Sequence, residues 1–326
     1  MSNDSEKSAK VLLKARPTSE QLRDRLAEPA PDGLELYLDV ADISDDNWLA
    51  TLEQRIADLD VPSDFDWVVE GPLRSLDGSF FDISKHTSAN IEVVQRLVTF
   101  GRTIGAKAVV IHAIAPTSDV GLFSDESCAT TLKESLSLLQ LYADLCSDGG
   151  LIPTVENIPP VTRMRESRFM HSLIGMEPKD LLFLADQIEG LKVTLDVSHA
   201  QLYLNAASSS RLSASSEVGP EIAPLIAYLS GRREVSTLEE YIDRVEHLIF
   251  EAHFSNARGL LGEGLAYGDG ELDLDRAAAR LRYVAKYLVT ETIEPDANKS
   301  ILMREAQGRM KAALESGSNA ASRGRI

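Results

Sequence analysis

Between residues 191 and 203 the chain reads LKVTLDVSHAQLY. The VTLDV run is apolar in the manner of a strand covered on both faces. It nevertheless delivers a carboxylate, Asp196, near its tip, and an imidazole, His199, follows three residues later. The same pairing of apolar run and ionisable end recurs along the chain. DWVVEG carries Glu70, AVVIHA carries His112 and LIPTVEN carries Glu156, while LIFEAHF carries His253 and YLVTET carries Glu291. A buried carboxylate or imidazole costs free energy unless it is paired, hydrogen-bonded or bound to a metal. One strand-end glutamate is more simply structural, and His112 alone reads equally well as a satisfied core imidazole. Six successive strands with such a residue at one height describe a site.

Those residues need elements that bring them together. Apolar runs alternate with 3.6-residue periodicity, giving strands over 11–15, 34–40, 66–71, 108–113, 151–157, 192–197, 248–254 and 287–292. Helical patterns follow, among them 91–105, 130–150 (stopped by Gly149 and Gly150) and 273–287. Eight strand–helix units predict an α/β fold, a closed (β/α)8 TIM barrel, with an open doubly wound sheet as the alternative. Barrel active sites lie at the C-terminal ends of the strands. Closure lets Glu156, Asp196, His253 and Glu291 face a common centre. An open sheet would hold strands five and eight several spacings of about 4.8 Å apart. The expected organisation is one barrel domain over 1–310. A long Ser/Ala-rich insertion spans about 205–235 and leads into the helix-like PLIAYLSG, as a cover or interaction surface or a plain spacer. A small, polar and disordered tail is expected over 311–326.

Composition narrows the class. Of 326 residues, 44% are hydrophobic and 26% charged, the balance of a soluble globular protein. No apolar run has the roughly 18 residues a membrane helix needs, and the polar start MSNDSEKSAK has no signal-peptide core, so a cytoplasmic location is the default expectation. Cys128 and Cys146 are too few for a disulfide framework. The net charge of −18 opposes binding to nucleic acid and anionic membranes. The partner expected is a small polyhydroxylated molecule, with self-association as a homo-oligomer left open.

In order and spacing, "GAKAVVIHA", "PTVENIPP", "LDVSHA", "FEAHFSN", "GDGELDLDRA" and "VTET" resemble the xylose isomerase-like TIM-barrel superfamily. That group holds sugar isomerases, ketose 3-epimerases, inosose dehydratases and metal-dependent apurinic endonucleases. The resemblance covers roughly residues 30 to 295. It implies that Glu156, Asp196, His253 and Glu291 are metal ligands. It implies substrate contact for His199 and, with a spacing from His253 one residue short, for Arg258. It also implies that Glu156 and Glu291 serve as the acid and base on opposite faces of the substrate, with Glu70 and His112 lining the pocket.

The sequence departs from the trinuclear endonucleases. Glu70 stands where they have a histidine. Gly262 and Gly264 fall where they have an Asp-x-His pair, and the other alignment of that turn offers only Arg258 and Leu260. One metal is therefore expected. Three carboxylates and one imidazole form a hard site, favouring Mn²⁺ or Mg²⁺, with Co²⁺ and Zn²⁺ as alternatives. Such an ion binds two adjacent oxygens of a hydroxy-ketone and stabilises the enediolate left by proton removal. The expected activity is isomerisation or epimerisation of a small sugar, ketose or cyclic polyol. The alternatives are an apurinic endonuclease-like phosphodiesterase and a non-catalytic metabolite-binding barrel.

Overall fold

In the computed structural model, which describes residues 8–163, 169–210, 216 and 218–323, eight parallel strands close into a barrel. They are β1 (Lys10–Ala15), β2 (Gly33–Tyr37), β3 (Asp66–Glu70), β4 (Ala108–His112), β5 (Ile152–Glu156), β6 (Lys192–Asp196), β7 (Ile249–Phe254) and β8 (Tyr287–Thr290). Each coincides with a run read as strand. Each pairs with its sequence neighbour, and β8 pairs with β1 (Lys10 against Tyr287, Leu13 against Thr290), which excludes the open sheet.

Strand parity sorts the side chains. Leu13, Leu34, Val69, Val109, Val155, Val193, Ala252 and Leu288 belong to the large core shared with the surrounding helices. The opposite parity fills the barrel. Leu12, Val68, Ala108, Val110, Tyr287 and Val289 form a separate apolar cluster there. At the inward positions of β2, β5, β6 and β7 stand Glu35, Thr154, Thr194 and Glu251, all fully buried. Two residues further along each strand, the same inward parity gives Lys14, Glu70, His112, Glu156, Asp196, His253 and Glu291. The chemistry-bearing residues therefore form one layer at the C-terminal mouth.

The helices begin where their side chains can satisfy free amides. Thr87 caps Ser88–Ile104, Ser124 caps Asp125–Asp148 and Thr237 caps Leu238–Val245. Gly105, left-handed at φ 67°, ends the first of these. Cys128 and Cys146 lie buried in Asp125–Asp148, and burial pushes the Cys146 thiol up to about 12, an unreactive state. Among the described residues, no helix is long and apolar enough to cross a membrane.

Three boundaries differ from the sequence expectation. The pattern over 273–287 yields only the helix Leu274–Leu281, because Tyr287 already opens β8. The 205–235 insertion starts later, since the helix Val197–Ser208 continues through the buried pair Ala206 and Ala207. Residues 211–215 and 217 of that insertion lie outside the described residues, and the helix Ala223–Ser230 falls on PLIAYLSG. The helix Ile301–Arg323 runs through most of the segment expected to be a disordered tail. Its first half is amphipathic, with Met303, Ala306, Met310 and Leu314 buried at helical spacing.

Gly175 closes the loop after β5 against the end of β4. It has φ 89°, and a Cβ there would lie 1.9 Å from the Ala113 carbonyl oxygen. Gly175→Ala is expected to lose about 2–4 kcal/mol, combining left-handed strain with overpacking. Urea unfolding checks this, and an unchanged midpoint would contradict the assignment.

Candidate metal centre

Glu156, Asp196, His253 and Glu291 each offer one ligand atom, all within 4.8 Å of one another. Three of them share a pattern in which one polar atom is tied to a partner and the other is turned to the common point. Asp196 ends β6 and caps the helix Val197–Ser208, its Oδ1 accepting from the His199 amide at 2.6 Å. Its backbone is clamped by the Asn157 side chain, which accepts from its N–H at 2.7 Å and donates to its C=O at 3.0 Å. His253 pairs through Nε2 with Glu35 at 3.0 Å, leaving Nδ1 3.4 Å from Glu156 and 2.9 Å from Glu291. Glu291 pairs through Oε1 with Lys14 and turns Oε2 toward His253. Glu156 is the exception, since neither of its oxygens has a hydrogen-bond partner. His253 Nδ1 and Glu291 Oε2 are buried and make no well-aligned hydrogen bond, although they lie 2.9 Å from each other. Orphaned donor and acceptor atoms are rare in cores and call for an explanation. Here they converge with Asp196 into a group that could hold a hard divalent cation.

Around this point runs a ring of charged side chains. His112 Nε2 lies between Glu70 at 3.3 Å and Glu156 at 3.4 Å. His199 donates from Nδ1 to the Asn157 carbonyl at 2.8 Å and sits 3.3 Å from Glu156, with Nε2 facing Glu263 at 3.6 Å. Lys14 reaches Glu70 at 2.5 Å and Glu35 at 3.6 Å. Below, Thr154 and Thr194 share a 2.7 Å hydroxyl contact, and Thr194 donates to Glu251 at 2.9 Å.

The electrostatics follow from burial and these neighbours. Burial pushes the Asp196 carboxyl up to about 8 despite His199. It pushes Glu251, beside Glu35, to about 8 as well. Burial acts in the same sense on Glu156, but His253 and His112 outweigh it and hold that carboxyl well below the usual range. For Glu291, Lys14 and His253 likewise overcome burial. Lys14 is disfavoured as a cation by burial, yet Glu291, Glu70 and Glu35 keep it firmly protonated.

A cavity of about 260 Å³ opens over the site. Its floor holds Lys14, Glu70, His112, Asp196, His199, Glu263 and Glu291, and Leu73, Ile114, Ile158, Pro159 and Ile293 contribute apolar walls. Of the residues singled out from the sequence, all but Arg258 lie in the ligand cluster or the cavity lining, Glu156 and His253 in the cluster alone. Arg258 lies exposed on a small hairpin (Asn256–Arg258 with Gly262–Leu265), and its guanidinium donates to the Asp269 carbonyl. The same hairpin shows why the turn bears no further ligand. Gly264 has φ 69° with Ile293 packed against it, and a Cβ on Gly262 would meet the Arg258 carbonyl at 2.6 Å.

The sequence reading passed over Lys14, Glu35, Glu251, Asn157 and Glu263. For the first three the signal was available, because each shares the parity of the site residue next on its strand or the strand beside it.

The sequence matches no family model and no curated protein. Solved structures do resemble the fold. An L-ribulose 3-epimerase aligns with a TM-score of 0.64 at 16% identity, covering 98% of both chains. A D-tagatose 3-epimerase-like protein aligns with a TM-score of 0.63 at 15% identity, over 94% of this chain and 99% of that one. A xylose isomerase domain protein from Planctomyces limnophilus aligns with a TM-score of 0.59 at 12% identity, over 96% and 99%. The chain therefore shares the overall barrel fold of these structures.

Proposed function

We propose that the chain is a divalent-metal-dependent isomerase or epimerase that removes a proton beside the carbonyl of a small, neutral, polyhydroxylated compound. The observation that carries this reading is the convergence of one ligand atom each from Glu156, Asp196, His253 and Glu291 within 4.8 Å of one another beneath an open cavity. The fold likeness to structures described as sugar epimerases agrees with it. A bound Mn²⁺ or Mg²⁺ would polarise the carbonyl and acidify the neighbouring C–H.

The chain's residues supply the rest. Glu156 and Glu291 stand on β5 and at the end of β8, so their carboxylates approach a substrate from different sides and act as base and acid. His253 and His112 hold Glu156 ionised. His199, Glu263, Glu70 and His112 offer donors and acceptors to hydroxyl groups. Ile114, Ile158 and Pro159 keep water from the reacting carbon, which strengthens each of these interactions. Arg258 enters this scheme only if substrate draws it from Asp269 to the mouth.

Three measurements test the reading. Elemental analysis of protein purified with Mn²⁺ is expected to show about one ion per chain, held by the four-residue cluster, since the two three-residue groups (Glu35, Glu251, His253 and Glu70, His112, Glu156) each share a ligand with it. Adding Mn²⁺ at 100 times its dissociation constant is expected to stabilise the fold by about 2.7 kcal/mol, reversed by chelator. Incubation in D₂O with ketoses, inososes and hydroxypyruvate should then place deuterium on the reacting carbon. No metal and no exchange would favour a metabolite-binding barrel. Specific nicking of abasic duplex DNA would favour the phosphodiesterase.

A further inference from the structure

Lys14 is the one Lys or Arg among the described residues lining the cavity. It stands on β1 one inward position above Leu12, so its ammonium enters the mouth from the side opposite β5 and β6 in the ring of strands. It contacts Glu291 through Oε1 and Glu70 through Oε2, and lies 3.6 Å from Glu35 Oε1. Glu35 is the carboxylate that holds His253 Nε2. One ammonium therefore backs one candidate ligand directly and a second through its partner.

We propose that Lys14 is a positioning residue of the metal centre: it ties Oε1 of Glu291 and thereby presents Oε2 alone to the ion. This rests on the metal-dependent reading above. The competing idea is that Lys14 merely fills the place of the cation. The geometry argues against it, because the oxygen Lys14 holds is not the one that faces His253 Nδ1. Both oxygens of Glu291 can be engaged at once. A carboxylate anchored on one side also loses less conformational freedom when it binds an ion, which is the ordinary contribution of a ligand's outer partner.

The test is a double-mutant cycle read by Mn²⁺ affinity, with the free ion counted by EPR. Wild type, K14M, E291Q and the double variant are titrated with Mn²⁺ alone. K14M is expected to weaken binding about 10–100-fold in the wild-type background. In the E291Q background it should change affinity by less than about threefold, since the carboxylate oxygen pair through which it acts is gone. An equal loss in both backgrounds would mean that Lys14 acts through the fold at large. Tighter binding by K14M would make Lys14 a competing counter-ion. Either result overturns the proposal. Wild type that binds no Mn²⁺ would instead overturn the metal reading itself. Near-UV circular dichroism checks each variant's fold. If K14M does not fold, Glu70→Gln loosens the same ammonium without touching a ligand, and it should still weaken binding by about threefold or more; unchanged affinity there counts against the proposal.

Discussion

Glu156→Gln combined with Asp196→Asn is expected to abolish divalent-ion binding and leave the fold intact. Both substitutions keep shape and remove charge. Glu156 lies 3.3–3.4 Å from His112, His199 and His253, and a glutamine of the same shape keeps these contacts while losing the charge. Asparagine caps helices as well as aspartate, so the helix Val197–Ser208 keeps its start at the His199 amide. The variant also carries two fewer carboxyl groups buried among Glu35, Glu70 and Glu251. In chelator its unfolding midpoint should nevertheless fall below that of wild type with the transition still cooperative, because the ionised Glu156 is held by His253 and His112 and removing one partner of a buried pair costs stability. Elemental analysis measures the loss directly, and retention of metal at full occupancy would show that the ligands lie elsewhere.

Glu156→Gln alone is expected to slow deuterium exchange at the reacting carbon by about 10²–10⁴-fold, the usual contribution of a general base. Glu291→Gln should fall in the same range if the two carboxylates divide the acid and base roles. Metal loss would mimic either effect, so exchange is measured at saturating Mn²⁺ with occupancy determined on the same sample. A variant that holds its ion and exchanges at the wild-type rate would remove that glutamate from the chemistry. Unequal losses would reveal which face the proton leaves from.

The barrel was legible because its strands are apolar on both faces. VTLDV and AVVIH have no solvent side and so betray helices packed outside and side chains packed within. The same property hid half of the site's surroundings. In LELYLDV the alternation of Leu and Glu reads as a strand with one wet face. In the closed barrel, Leu34 and Leu36 meet the helices, and Glu35 points inward to His253. Periodicity gives the alternation and not its sign, and only closure makes the inner face the polar one. Lys14 was obscured differently, as the polar residue near the end of the short run VLLKA. Its importance comes from Glu70 and Glu291, which are distant in sequence and meet it only across the barrel seam. Arg258 shows the converse. The family resemblance implied a place for it at the mouth, but the chain turns into a hairpin at Asn256 and carries the guanidinium outward.

Asp196 joins three parts of the molecule with one side chain and its own peptide. It is the last residue of β6, the cap of the following helix and a neighbour of Glu156 and His253 in the ligand group. The 2.6 Å bond from the His199 amide makes the first turn of that helix mechanically continuous with the carboxylate. Any change in how Asp196 is held, by ion or by substrate, must therefore be felt as a change in fraying of that turn. The helix leads directly into the Ser-rich insertion, so one helix links the site to the segment that follows it. Amide hydrogen exchange at His199, followed residue by residue, would register events at the carboxylate without any chromophore, label or turnover.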